Sequence, residues 1–124
     1  TLVIYDGSKA NEKYLNRIPK NVEIAKVSSD NPKYVSKILA QRGFNKILWE
    51  CGPKLATSAI KSGCIQECIT FIAPKILGGD DCMTPFADLQ FNSMKEVINL
   101  NLKNLNRIND DICLISNLKS NIYL

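Results

Sequence analysis

Short apolar runs of strand length alternate along this chain with segments of helical period. Thr1, Leu2, Val3, Ile4 and Tyr5 form a strand-like run, closed by the turn residues Asp6, Gly7 and Ser8. Residues 9–16 predict a loop with a short helical turn, and residues 22–27 alternate apolar and polar side chains as a strand does. Across residues 30–42, Tyr34, Val35, Ile38 and Leu39 recur at helical spacing, with Pro32 suited to the first turn and Gly43 just past the end. Residues 46–50 predict the next strand. Cys51 and Gly52 break it, and Pro53 opens a helix carrying Leu55, Ala56, Ala59 and Ile60, which Gly63 closes.

Residues 67–73 are almost unbroken in apolar character and predict a further strand, which leaves through Pro74 into a loop around residues 80–85. Residues 95–107 then carry Val97, Leu100, Leu102 and Leu105 among asparagines. A turn at Asn109, Asp110 and Asp111 precedes a last strand over residues 112–115. Strand, helix, strand occurs twice, which argues for an α/β fold with parallel units and right-handed crossovers. The last two segments predict an antiparallel hairpin on the edge of that sheet. No repeat, low-complexity linker or domain boundary interrupts the 124 residues, so one domain over 1–124 is expected.

Charge narrows the partners. Sixteen basic and twelve acidic residues give a net +4, but the lysines are scattered from Lys9 to Lys119 and only 7% of residues are aromatic. Nucleic-acid binding calls for a basic stripe with stacking aromatics, so a solvated mixed-charge surface is the expectation. The five cysteines, Cys51, Cys64, Cys68, Cys82 and Cys113, are odd in number and form no paired framework. Free thiols in a reducing, cytoplasmic compartment are expected. Cys64 and Cys68 lack the further ligands of a structural zinc site, since the chain has no histidine and no second close pair. No apolar run approaches the roughly 20 residues that span a bilayer, and no secretory leader is visible. Because the chain opens inside a strand-like run, a fragment of a larger enzyme is expected.

The most informative chemistry lies in residues 49–58. Glu50 ends a strand-like run, where open α/β sheets hold their ligands, and Gly52 lets a ligand approach bare backbone. The helix start that follows offers unpaired N–H groups and a partial positive charge, a natural seat for phosphate or pyrophosphate. Thr57 and Ser58 add hydroxyls nearby. An ordinary strand-to-helix turn with an exposed glutamate has the same composition, and both readings stay open at this point. Neither a Walker-type phosphate loop nor the three-glycine dinucleotide fingerprint is present.

Three blocks in order go further: Glu50-Cys51-Gly52-Pro53-Lys54-Leu55-Ala56, then Gly63-Cys64-Ile65-Gln66-Glu67, then Ile72-Ala73-Pro74-Lys75-Ile76-Leu77-Gly78-Gly79. They resemble the reductase domain of the bifunctional riboflavin-biosynthesis deaminase–reductases. The family pattern reads Glu-Gly/Ala-Gly-Pro-x-Leu, Gly-Leu-Val-Asp-Glu and Ala-Pro-x-x-Leu-Gly-Gly. Val3 to Asp6 and Asp111 to Leu114 fit its strands more loosely. The resemblance implies a dihydrofolate-reductase-like, mainly parallel sheet flanked by helices, with a C-terminal antiparallel hairpin and its N-terminal strands missing. It also implies NADPH as cofactor, 5-amino-6-(5-phosphoribosylamino)uracil as the phosphorylated pyrimidine substrate, a ribityl product, and a homodimer.

By the same resemblance, Glu50 contacts substrate, and Gly52, Pro53, Lys54, Leu55, Ala56, Thr57 and Ser58 bind NADPH. The Asp6-Gly7 turn is carried over near the cofactor less firmly. Cys51 stands where glycine or alanine is usual, Gln66 replaces an aspartate, and Lys54 adds a charge at the cofactor turn. The family's opening Lys strand, its Ser-x-Asp-Gly turn, its Arg-bearing substrate region and the whole zinc deaminase domain are absent from this chain. A partial reductase domain with little or no turnover of its own is therefore expected, and no residue is assigned as general acid. Two alternatives remain. One is another dihydrofolate-reductase-like NADPH reductase, and the other is a non-catalytic domain for nucleotide binding or assembly.

Overall fold

Parallel pairing organises the first part of the chain. Strands β1 (Leu2–Asp6) and β2 (Glu23–Val27) run side by side, from Leu2 opposite Glu23 to Asp6 opposite Val27. The computed structural model describes residues 1–79 and 84–118, and they fall into two compact units that part between Trp49 and Glu50. Parallel strands cannot be joined by a tight turn. The connection here carries the short helix α1 (Glu12–Leu15), whose cap residue Asn11 accepts the Lys13 N–H at 2.9 Å.

Helix α2 (Pro32–Gln41) follows, starting and stopping where its sequence directs. Asn31 caps the start by accepting the Lys33 N–H at 3.0 Å, and Pro32 occupies the first turn, where its missing N–H costs nothing. At the end Gly43 takes φ +88°. Its N–H reaches the Ala40 carbonyl at 2.9 Å while the Phe44 N–H reaches Leu39 at 3.1 Å. This is a Schellman closure, which needs a left-handed residue. Exposed ion pairs, Lys9–Asp30 and Glu23–Arg42, each at 2.5 Å, join segments of this unit.

Residues 46–50, expected as a strand, pair with no strand among the described residues, and residues 44–52 have no regular secondary structure. Their alternation survives: Ile47 and Trp49 are half-buried while Leu48 is 80% exposed. Apolar content marks a candidate strand, but only a neighbouring backbone satisfies its N–H and C=O groups. Among the described residues the second parallel unit is therefore not seen.

The second unit instead holds a three-stranded antiparallel sheet in the order β3-β5-β4, comprising β3 (Glu67–Ile72), β4 (Leu100–Ile108) and β5 (Asp111–Leu118). The α/β class holds, but the single, mainly parallel sheet is corrected to one parallel pair and one antiparallel sheet. The expected C-terminal hairpin is present as β4 and β5, and β5 inserts between β4 and β3. Its turn is short because Asn109 adopts φ +55°, a left-handed conformation that asparagine tolerates. A bulge between Leu102 and Asn104 sets Lys103 out of register, and its amine meets Glu67 of β3 at 3.0 Å.

Helix α3 (Pro53–Lys61) buries Thr57, Ala59 and Ile60. It ends in a second Schellman closure, with Gly63 at φ +68°, Gly63 N–H to Ile60 at 2.9 Å and Cys64 N–H to Ala59 at 3.0 Å. Ile60 shares an apolar cavity of about 200 Å³ with Cys68, Phe86, Leu89 and Leu100. The expected loop over residues 80–85 lies in part outside the described residues, as does Cys82.

Gly43→Ala is expected to destabilise the chain by about 1 kcal/mol in urea unfolding, because a Cβ has room there but not at that φ. Acid should also weaken the fold. The Ser8 hydroxyl and N–H hold Asp6 below the usual carboxylate range, and Arg42 does the same for Glu23. Depressed carboxyls stabilise the folded state above their unfolded pKa and lose that contribution as pH falls through the folded value. The urea midpoint should stay level from neutrality to the ordinary carboxylate range and drop below it; Asp6→Asn should flatten that drop.

Candidate functional site

Pro53 at the first position of α3 has no N–H, and the Ala56 N–H is already taken by the Gly52 carbonyl at 3.1 Å. The N–H groups of Lys54 and Leu55 lie between them and meet no acceptor among the described residues. A side-chain cap would normally supply one. The cap residue is Gly52, which makes no such bond, and the first turn holds no acidic residue. The helix therefore begins with two donors that no protein acceptor among the described residues takes, and no acidic residue of its first turn offsets the partial positive charge there.

Gly52 sits at φ −71° and ψ 170°, extended backbone that any residue adopts. A Cβ built on it would meet nothing within 4 Å. Neither conformation nor packing requires glycine here. What its absent side chain leaves is open approach to the main chain, at a shallow depression of about 380 Å³ lined by Gly52, Pro53, Lys54 and Leu55. Such a surface suits an elongated phosphate-bearing ligand laid over a helix start, with Lys54 as an exposed cation beside it.

The other expected site residues fall differently. Glu50 is exposed and lies two residues before Gly52, on unpaired chain rather than at the end of a buried strand. It makes no ion pair among the described residues. Thr57 is turned inward: its Oγ1 donates to the Ala87 carbonyl at 3.2 Å, so the hydroxyl is not offered to a ligand. Ala56 and Ser58 are half-buried on the second turn, and Ser58 accepts the Ser62 N–H at 3.0 Å through its carbonyl. The open set thus shrinks from residues 52–58 to Gly52, Pro53, Lys54 and Leu55.

Sequence reasoning did not find Ala87. Its N–H donates to the Pro53 carbonyl at 3.3 Å, tying its loop to the first turn of α3. An alanine in an aperiodic segment gives no signal of main-chain bonding. In the first unit, Asp6 accepts the Ser8 N–H at 2.8 Å and its hydroxyl at 2.7 Å, while the Gly7 N–H donates to the Val27 carbonyl at 3.0 Å, tying this turn to β2. No cluster of metal-ligating side chains occurs among the described residues. Cys51, Cys64, Cys68 and Cys113 are free thiols, and burial pushes the Cys68 thiol up.

A family model, that of the RibD C-terminal domain, matches residues 1–114. The riboflavin biosynthesis protein PYRR of Arabidopsis thaliana, a chloroplastic protein, is 42% identical over 81 residues, 65% of this chain and 14% of that protein. The riboflavin biosynthesis protein RibD of Synechocystis is 38% identical over 101 residues, 81% of this chain and 27% of that protein. The chain thus spans well under a third of these relatives' length. Among solved structures, RibD of Acinetobacter baumannii superposes with a TM-score of 0.73 at 18% identity, over 95% of this chain and 37% of that one. A pyrimidine reductase-like protein of Corynebacterium diphtheriae gives 0.74 at 23% identity, over 97% and 50%. At these identities the superpositions show a shared α/β fold.

Gly52→Ser should leave stability unchanged or raise it by a few tenths of a kcal/mol in urea unfolding, because serine would cap the free Leu55 N–H without strain. A loss above about 1 kcal/mol would mean that the backbone itself needs glycine.

Proposed function

The chain belongs to the RibD C-terminal domain family, and from that premise we propose that it is the cofactor-gripping part of a reductase of riboflavin biosynthesis. The reaction in this reading is NADPH-dependent reduction of 5-amino-6-(5-phosphoribosylamino)uracil to its ribityl product. One observation carries it: the uncapped start of α3, open at Gly52, in a chain matched to the family over residues 1–114. The free N–H groups of Lys54 and Leu55 bind the cofactor's pyrophosphate, and the Lys54 ammonium adds long-range attraction. Bound NADPH supplies the hydride. The protein's part is to hold nicotinamide and sugar carbon together, which is the larger share of such catalysis. Glu50, an exposed carboxylate beside that turn, contacts the substrate.

The same reading makes this chain one part of a longer polypeptide, whose further strands complete a dihydrofolate-reductase-like sheet. The outer edge of β3 supports it. From Cys68 to Ile72 that edge has no partner strand among the described residues, and Ile69 and Phe71 are 51% and 62% exposed. It also carries no charge, proline or bulge, the devices that protect a true edge, whereas the opposite edge, β4, has its bulge at Lys103. A homodimer and a cytoplasmic location are carried over from the resemblance and the free thiols. Among the described residues no helix is long and apolar enough to cross a membrane.

Titrating NADPH against the chain tests the reading, followed by intrinsic fluorescence or calorimetry. Saturable binding is expected, and Gly52→Asp should weaken it at least about tenfold by capping the donors and adding negative charge. With the aminouracil substrate, turnover should be near zero. Unchanged affinity in Gly52→Asp would remove the cofactor from this helix start.

A further inference from the structure

We infer that Thr57 is a positioning residue for the nucleotide seat: its hydroxyl pins the loop at Ala87 against α3 and so fixes where the open end of the helix lies. The inference rests on the NADPH reading above. Thr57 is 7% exposed, and its Oγ1 donates to the Ala87 carbonyl at 3.2 Å, while the Ala87 N–H donates to the Pro53 carbonyl at 3.3 Å. Pro53 and Thr57 are one helical turn apart, so a single loop residue is gripped at two levels of the helix through both of its main-chain polar groups.

That loop is suited to act as a brace because it is ordered by its own bonds. The Thr84 hydroxyl donates to the Phe86 carbonyl, and Asp88 accepts the Gln90 N–H at 2.7 Å, with Gln90 held at φ +59°. Phe86 and Leu89, on either side of the gripped residue, line the apolar cavity with Ile60 and Cys68. Hydrophobic packing holds the loop to the sheet, and the Ala87 clamp holds the helix to the loop. A seat built from main-chain donors works only when held within about 0.5 Å of productive geometry. Thr57 serves that end without touching the ligand.

The test compares Thr57→Val, which keeps the shape and removes the donor, with Thr57→Ser, which keeps the donor. Both are made in the full chain, with circular dichroism as the folding check. Thr57→Val should weaken NADPH binding about 3- to 10-fold, the effect of one lost hydrogen bond, and speed amide exchange at Ala87 by a similar factor. Thr57→Ser should match the unsubstituted chain in both. Ala87→Pro, which removes the N–H bonded to Pro53, should lose affinity like Thr57→Val and serves if that variant fails to fold. Equal affinity and exchange in Thr57→Val, or equal damage in Thr57→Ser, overturns the positioning role alone. Failure of the unsubstituted chain to bind NADPH overturns the nucleotide reading, and this role with it.

Discussion

Two main-chain N–H groups at the start of α3 have no acceptor among the described residues, and the proposed cofactor grip depends on them. A helix start of this kind is normally closed by a serine, threonine, asparagine or aspartate side chain, as Asn11 and Asn31 close α1 and α2 in the same chain. At α3 the cap is Gly52 and the next residue is Pro53, so neither residue fills the space or competes for the donors. The helix gives up a side-chain cap worth a few tenths of a kcal/mol relative to glycine. What remains is main chain at Gly52 with no side chain over it, the feature on which the proposed anion seat rests.

The antiparallel sheet of the second unit is the platform for that helix. Its register brings Cys68 of β3 and Leu100 of β4 to the cavity into which α3 sends Ile60, and Ala59, at 0% exposure, has no bulk to hold the helix away. Burial in this setting pushes the Cys68 thiol up, and its side chain lines the apolar cavity. The Ala87 clamp completes the support from the loop side. The proposed seat and the Thr57–Ala87 bond thus lie on consecutive turns of one helix, with the first turn uncapped and Thr57 in the second facing inward.

The ends of the elements were legible in the chain. Pro32 and Gly43, and Pro53 and Gly63, bracket α2 and α3 as expected, because proline and glycine act through backbone geometry that neighbours do not alter. The hairpin at Asn109 was legible for the same reason. Gly52 and Lys54 could be placed at the helix start from sequence, since Gly52-Pro53 marks a turn and Leu55, Ala56, Ala59 and Ile60 follow at helical spacing.

Partner choice was not legible. Residues 46–50 and β3 are both apolar runs of strand length, yet one is unpaired and the other joins β5, because pairing depends on which backbone lies alongside. Thr57 has the side chain of a ligand donor, yet its hydroxyl donates a hydrogen bond to the carbonyl of Ala87, thirty positions away. Where elements start and stop, and which helix start is left uncapped, follow from φ, ψ and the presence or absence of a side chain, all local properties that the sequence alone determined. Which strand meets which, and whether a hydroxyl faces a ligand or a loop, depend on contacts between residues distant along the chain. Only the tertiary structure decided those.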